Sequence, residues 1–356
     1  MAFYIVKRLG AMIVVLLALT AIIFLLQAIS PGDPARAYLG ANSSKAAVAA
    51  ERQQLGLNQP IIVQYGRFLL GLTHGNLGIS YRTHRPVLSD LATYLPATIE
   101  LVVTSFIIAL ILAIAFAFSA ALRWRGSSVY RGIVLVGATA PPFLLALGGI
   151  ILFYQQLNWL PASGQGPNDP GPTGFLLIDT LVHGDIGGFG QTIQHLLLPA
   201  LVLSIAPAIG IGRIFRSSLE ATLSAEYVRT ARAKGLTQSR VLVGHVVRNS
   251  IGPALSMAGL QLGFMFAGVV VVEQVFSWPG IGNYLANSIP TADFPAIAGV
   301  TLILGTVYVV INAIVDLLQA AADPRIAAMG SLSRTPTKKR STKCTTQQQE
   351  RRSAAS

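Results

Sequence analysis

Six stretches of this chain contain no Asp, Glu, Lys or Arg: Leu9–Ile29, Leu101–Leu122, Gly132–Leu157, Leu196–Gly212, Ile251–Val272 and Ala296–Val315. Each is close to the ~20 apolar residues that a helix needs to cross a hydrocarbon core of about 30 Å. A backbone in lipid must satisfy its own polar groups, so such stretches can be spanning helices and little else. The chain is 53% hydrophobic and 11% charged over 356 residues. The expected fold is an all-α polytopic membrane protein with six transmembrane helices. The first stretch is long for a signal peptide and lacks a convincing small-residue cleavage site, so it reads as a retained helix.

The net charge of +12 raises the question of nucleic acid. The placement of the charge answers it, because basic residues cluster in alternate connections as membrane topology demands. Lys7 and Arg8 precede the first stretch, and Arg123, Arg125 and Arg131 lie between the second and third. Seven Lys/Arg fall between Arg213 and Arg248, and eight more follow the sixth stretch. Asn158–His195 and Glu273–Pro295 contain none. Both termini and the 213–250 connection are therefore expected in the cytoplasm. Segment 30–100, with six basic residues, is the exception, and long loops obey the rule weakly.

The cytoplasmic connection holds the segment of most functional interest, Ala225–Ser250. It is basic and helix-forming, with Arg229, Arg232, Lys234, Arg240 and Arg248 against one acid, Glu226. Gly235 breaks the helix and Thr237 can cap a second one. The expectation is two short helices joined by a turn, held at the membrane surface. Ala231 and Ala233 supply a small-residue face for close approach to a soluble partner.

Elsewhere the chain divides into 1–30, an N-terminal lead-in and first span; 31–95, an extracytoplasmic segment; 96–325, a five-helix core; and 326–356, a disordered basic tail. In the second of these, Asn42 or Ser43 can cap a short helix ending near Gly56, and Pro60–Leu70 is amphipathic and suited to a membrane surface. Pro86–Tyr94 reads as another short helix, after which Pro96 can open the second span. Pro141-Pro142, Pro199 and Pro207 fall inside spans, where they either line a pathway or form packing kinks. Gly259, Gly263 and Gly268 suit close helix packing. Asn158–His195 reads as an external loop. Glu100 and Glu273 sit at expected outer helix ends, Arg213 and Asp316 at inner ones, as interfacial anchors. Trp159, Trp278 and Trp124 take the same role.

Catalytic signatures are missing. There is no G-x-x-x-x-G-K-[ST] and no H-E-x-x-H. The five histidines are scattered, no Ser/His/Asp set shares one depth, and the single cysteine, Cys344, excludes an intrachain disulfide. An ion-driven secondary transporter or channel would call for acids or histidines within the spans; the helix cores lack them, and that reading leaves Ala225–Ser250 without a role.

Distributed motifs from Tyr4 to Arg325 resemble the inner-membrane permease subunits of the dipeptide/oligopeptide/nickel class of ABC importers, of the dipeptide-permease B type. They include Tyr4-Ile5-Val6-Lys7-Arg8-Leu9, Pro31-Gly32-Asp33-Pro34, Leu55-Gly56-Leu57-Asn58-Gln59-Pro60 with Tyr65, and Gly75-Asn76-Leu77-Gly78-Ile79-Ser80. Leu95-Pro96-Ala97-Thr98-Ile99-Glu100-Leu101, Glu273-Gln274-Val275-Phe276-Ser277-Trp278-Pro279-Gly280-Ile281-Gly282 and Ala322-Asp323-Pro324-Arg325 continue the series. Glu226, Tyr227, Arg229, Thr230, Ala231, Arg232, Ala233, Lys234 and Gly235 resemble the family's ATPase-coupling motif. Against the general E-A-A-x-x-x-G form only Ala231 and Gly235 match, so no glutamate role passes to Arg229. The resemblance implies an ABC type I importer permease fold with no catalytic residue and no cofactor of its own. It implies a second homologous permease, two cytoplasmic ATPases carrying ATP and Mg, an extracytoplasmic binding protein and residence in the bacterial inner membrane. The implied cargo is dipeptides or oligopeptides, with nickel complexes and glutathione handled by close relatives. Pore-lining residues stay open.

Overall fold

The structure is a computed structural model describing residues 2–29, 33–40, 42–121, 132, 137, 139–167 and 171–322. The chain divides at Asp316. The first unit holds the architecture below; of the second, only the final helical turns, 317–322, are described. The 326–356 tail with Cys344, the Asp323-Pro324-Arg325 part of the terminal motif, and Arg123, Trp124, Arg125 and Arg131 lie outside the described residues.

Every regular element among the described residues is helical, and the one strand-like contact is the bridge Ile79–Pro86. Helix α1 (Ala2–Ile29) is followed by three short helices, α2 (Pro34–Leu39), α3 (Lys45–Gln54) and α4 (Ile61–Thr73). Then come α5 (Val87–Ala121), α6 (Pro142–Gly149), α7 (Leu176–Val182) and α8 (Ile186–Leu223). The described elements close with α9 (Glu226–Ala233), α10 (Gln238–Val241), α11 (Arg248–Val275), α12 (Ile281–Ser288) and α13 (Phe294–Ala322). Among the described residues, five helical stretches are long and apolar enough to cross a membrane: Met12–Ile29, Val87–Ser119, Ile186–Leu223, Gln238–Val275 and Phe294–Val315. Each contains or closely overlaps one of the six charge-free windows. The remaining window, Gly132–Leu157, is only partly described; within it Pro142–Gln156 forms a shorter apolar helix.

Several local expectations are corrected. Ser44, not Asn42 or Ser43, caps α3, its Oγ accepting from Ala47 N at 3.2 Å. The second span begins at Val87 and carries Pro96 in its interior. An interior proline costs a helix ~3 kcal/mol when unsupported; here the ring lies against Gly174, where an added Cβ would stand 3.1 Å from Pro96 Cγ. Pro141 and Pro142 start α6, with Pro141 extended at the N-cap and Pro142 at the first helical position, where a missing N–H costs nothing. The external loop is shorter than expected, because α7 forms inside it and α8 begins at Ile186.

Helix α8 is the centre of the bundle, and α5 and α11 pack along it. The main core joins Leu101 and Val102 of α5, Leu198 and Val202 of α8, and Met265, Phe266 and Val269 of α11. Close approach follows from small residues: a Cβ on Gly259 would collide with Val315, and one on Gly263 with Tyr308, so α11 and α13 meet there. Gly268 has only Leu203 at 3.7 Å. Large apolar side chains turn outward, including Ile22, Ile111 and Phe264, as lipid allows. Helix α4 packs on α1 through Tyr65, whose hydroxyl donates to Leu17 O at 2.9 Å, and through Phe24 against Tyr65 and Phe68.

Candidate functional site

The two ends of the bundle differ in chemistry. At one end α9 forms the expected hairpin arm. Its sequence puts apolar residues at spacing three, so Val228 and Ala231 share one face. Both are buried in a satellite core with Ala117 of α5, Phe215 and Leu219 of α8, and Val241, Val246 and Ala254. Glu226, Tyr227, Arg229, Thr230, Arg232, Ala233, Lys234 and Gly235 all face solvent. Ala231 is thus an anchor and not part of an outward small-residue surface; helix periodicity commits it to the side of Val228. Gly235 ends the arm at φ +80 with open space where a Cβ would point. Its role in the turn is conformational: the left-handed region is costly for other residues.

The second arm is not a separate short helix. Thr237 stands extended at the N-cap without a side-chain cap bond. From Gln238 the helix runs through a π-helical stretch, Leu242–Val247, straight into α11. The second arm and the spanning helix are therefore one continuous helical stretch, Gln238–Val275. Ser250 locks this junction to the end of α8, its hydroxyl donating toward Thr222 Oγ1 at 2.9 Å and lying 3.2 Å from Ser218 O. Arg213 is not in the connection but in α8, which continues to Leu223. Around it, Phe116, Arg213, Arg216, Ser217 and Glu220 line a cavity of about 260 Å³. Arg216 pairs with Glu220 at 2.8 Å.

At the opposite end, two motifs distant in sequence close on each other. Glu273 is fully buried. It accepts from Thr98 Oγ1 at 2.6 Å and from Asn283 N at 2.9 Å. Thr98 Oγ1 in turn accepts from Ile281 N at 2.8 Å, and Trp278 Nε1 donates to Ala97 O at 3.0 Å. The chain makes this possible by stopping α11 at Val275 and turning through Ser277-Trp278-Pro279-Gly280, so that the first amides of α12 point back at the carboxylate. Gly280 is required there, since a Cβ would fall on the Glu273 carboxylate. Glu100 does the same for α7: it accepts from Leu177 N at 2.7 Å and from Gln165 Nε2 at 3.2 Å.

These contacts overturn the anchor reading of Glu100, Glu273 and Trp278. Both acids cap short connecting helices, where N-terminal amides and the helix dipole favour negative charge. Trp278 is completely buried, whereas Trp159 is 66% exposed as an anchor should be. Each motif alone gives no sign of the other; the legible signal is an acid without a neighbouring base in one and a hydroxyl donor in the other.

A second polar knot ties the 78–86 turn to α12 and α13. Asp293 accepts from Ser80 Oγ and from Arg82 N at 3.2 Å, and caps α13 through Ala296 N at 3.3 Å. Asp90 accepts from Thr83 Oγ1 and from Tyr284 OH at 3.0 Å. Burial pushes the Tyr284 hydroxyl well above its ordinary pKa, so it stays a donor. Tyr94 stacks on the same ring at 5.2 Å.

A long-helix bundle with outward apolar faces, acid-capped connections at one end and an exposed cationic hairpin continuous with a span at the other defines a multi-pass membrane protein. Comparison with known proteins is specific. Residues 109–328 match the model of the family "Binding-protein-dependent transport system inner membrane component", and residues 1–102 match the N-terminal model of such membrane components. The dipeptide transport system permease protein DppB of Alkalihalophilus pseudofirmus is 39% identical over 330 residues, 91% of this chain and 98% of that protein. The probable D,D-dipeptide transport system permease protein DdpB of Escherichia coli is 39% identical over 331 residues, 91% of this chain and 97% of its own length. The glutathione transport system permease protein GsiC of Salmonella paratyphi A is 35% identical over 326 residues, covering 91% and 98%. The chain belongs to the family of binding-protein-dependent transport system inner membrane components. It is a multi-pass permease subunit, and its place in a transporter is that of the membrane component.

Proposed function

We propose that this chain is the permease subunit of an ATP-driven importer of dipeptides and short oligopeptides. It pairs with a second homologous permease and receives cargo from an extracytoplasmic binding protein. Two cytoplasmic ATPases hold ATP and Mg and drive it; this chain binds no cofactor. Both termini and the α9 hairpin lie in the cytoplasm, in accord with the distribution of Lys and Arg. The 31–95 segment and the carboxylate clasp lie outside.

The observation that carries the reading is the α9 hairpin. Its cationic face is free while its apolar face is seated, and its second arm is continuous with α11. Glu226, Tyr227, Arg229, Thr230, Arg232, Ala233 and Lys234 form the surface that meets the ATPase, Ala231 seats the arm and Gly235 turns it. Dipeptides are favoured as cargo by the more similar relatives, DppB and DdpB; GsiC makes glutathione the second reading.

The test is uptake by cells lacking this chain and by cells given it back, with a labelled dipeptide, labelled glutathione and radioactive nickel. Dipeptide uptake that disappears and returns supports the assignment. A response to glutathione or nickel alone rejects the cargo and keeps the coupling argument. Dipeptide uptake that persists after collapse of the ion gradients but fails on ATP depletion separates ATP drive from an ion-driven carrier.

A further inference from the structure

The mid-span region of α11 contains one carboxamide, Gln261, midway between Ile251 and Val272. It makes no hydrogen bond to any described residue, and it is half-buried. It lies over Gly210 of α8, where any Cβ would collide with its amide nitrogen and would stand 3.1 Å from Met257 Cε. An amide at mid-span without a partner among the described residues is costly against lipid and points to a partner or a wet surface.

Following α8 from that point toward the hairpin end gives the same answer. Ala206, Gly210, Arg213, Ser217 and Glu220 recur at spacings of four and three, which places them on one stripe. Ala206, Arg213, Ser217 and Glu220 are exposed and Gly210 is half-buried, whereas most of α8 between Leu198 and Gly212 is buried. Arg213 has no carboxylate partner among the described residues, while Arg216 beside it is paired with Glu220. The stripe opens into the 260 Å³ cavity floored by Phe116 of α5. Polar and charged groups with small residues between them, running from mid-span to one membrane surface, do not suit a lipid contact.

We propose that Gln261, Gly210, Arg213 and Ser217 line the cytoplasmic half of the translocation path. The Gln261 carboxamide hydrogen-bonds the amide groups of a passing peptide, and the Arg213 guanidinium engages its terminal carboxylate. Gly210, lacking a Cβ, leaves the room against α8 in which the Gln261 carboxamide sits. The assignment rests on the peptide-importer reading for its cargo, but its geometry does not, and the test separates the two.

The single cysteine, Cys344, is replaced by serine, and cysteines are introduced singly as Ser217→Cys and Ala206→Cys, with Ile107→Cys and Ile111→Cys on the exposed apolar face of α5 as references. Inside-out membrane vesicles holding the assembled transporter are treated with a membrane-impermeant cationic methanethiosulfonate. Ser217→Cys and Ala206→Cys are expected to react at least about ten times faster than the α5 references, and to slow when the transporter is trapped with ATP and vanadate. Rates equal to the references overturn the lane, whatever the cargo. In the second arm, Gln261→Leu is expected to raise the KM for dipeptide uptake about 2- to 10-fold, the range of one hydrogen bond. Arg213→Gln is expected to raise it about 10- to 100-fold, as for a bond to a charged group, with Arg213→Lys closer to the parent. The Arg213→Gln penalty vanishes for a C-terminally amidated dipeptide. Unchanged KM in both variants overturns the contact roles; absence of dipeptide uptake in the unmodified transporter rejects the cargo reading and leaves the labelling result standing.

Discussion

The clasp between Thr98 and Glu273 predicts a non-additive loss of stability. Thr98→Val keeps the volume and removes the hydroxyl. It leaves the Ile281 amide and one Glu273 oxygen without their partners at 2.8 and 2.6 Å. Each buried group left unmade costs about 1–3 kcal/mol, which gives roughly 2–6 kcal/mol in all. Glu273→Gln is milder. Its oxygen still accepts from Asn283 N, but its NH₂ faces a Thr98 oxygen already occupied by Ile281, and the hydroxyl proton loses its acceptor, at about 1–3 kcal/mol. Once Thr98 is valine, the glutamine has less to disturb, so the double variant falls short of the sum by about 0.5–3 kcal/mol. Fluorescent fusions extracted in detergent, heated in aliquots and resolved by gel filtration give the folded fraction at each temperature. The expected order is parent, Glu273→Gln, Thr98→Val, with the double variant close to Thr98→Val. Strictly additive losses, or all variants within about 0.5 kcal/mol of the parent as exposed sites behave, would refute a clasp and restore the anchor reading of Glu273.

Three further outcomes follow from the same geometry. Gly235→Val abolishes dipeptide uptake while membrane insertion stays normal, and Gly235→Asn keeps most activity, because φ +80 is accessible to asparagine and the space is open; normal uptake in the valine variant contradicts the turn argument. Gly263→Ala lowers the yield of folded protein by driving its methyl into Tyr308, and adding Tyr308→Ala restores part of that yield; no rescue means the α11–α13 contact is not the cause. Trp278→Phe removes the bond to Ala97 O and costs about 0.5–1.5 kcal/mol in the heating assay, whereas Trp159→Phe, at an exposed ring, changes nothing measurable.

Much of the fold was legible because lipid enforces a simple rule. A charge-free run of about 20 residues has one stable solution in a bilayer, and the described residues of Leu9–Ile29, Leu101–Leu122, Leu196–Gly212, Ile251–Val272 and Ala296–Val315 all fall on long helices. Helix ends were less legible. Pro96 and Pro141-Pro142 carry the same residue type, yet the first sits inside α5 and the second pair opens α6. Local preference alone does not distinguish the cases. The hairpin was legible as a cationic pair of arms with a glycine turn, but the burial of Ala231 needed the periodicity of Val228 and the presence of Phe215 and Leu219 beneath them.

From residue types alone came the class of protein, the long apolar stretches and the family motifs. Those properties depend on local composition and on the bilayer, which acts on each segment separately. Only the tertiary structure decided what the acids do. Glu100 and Glu273 look in sequence like charges parked at helix ends; in space each receives donors from a segment far along the chain and caps a helix, and Asp293 does the same for α13. Such pairing depends on which ends the packed bundle brings together, and a buried carboxylate takes whatever N–H and O–H groups that packing supplies.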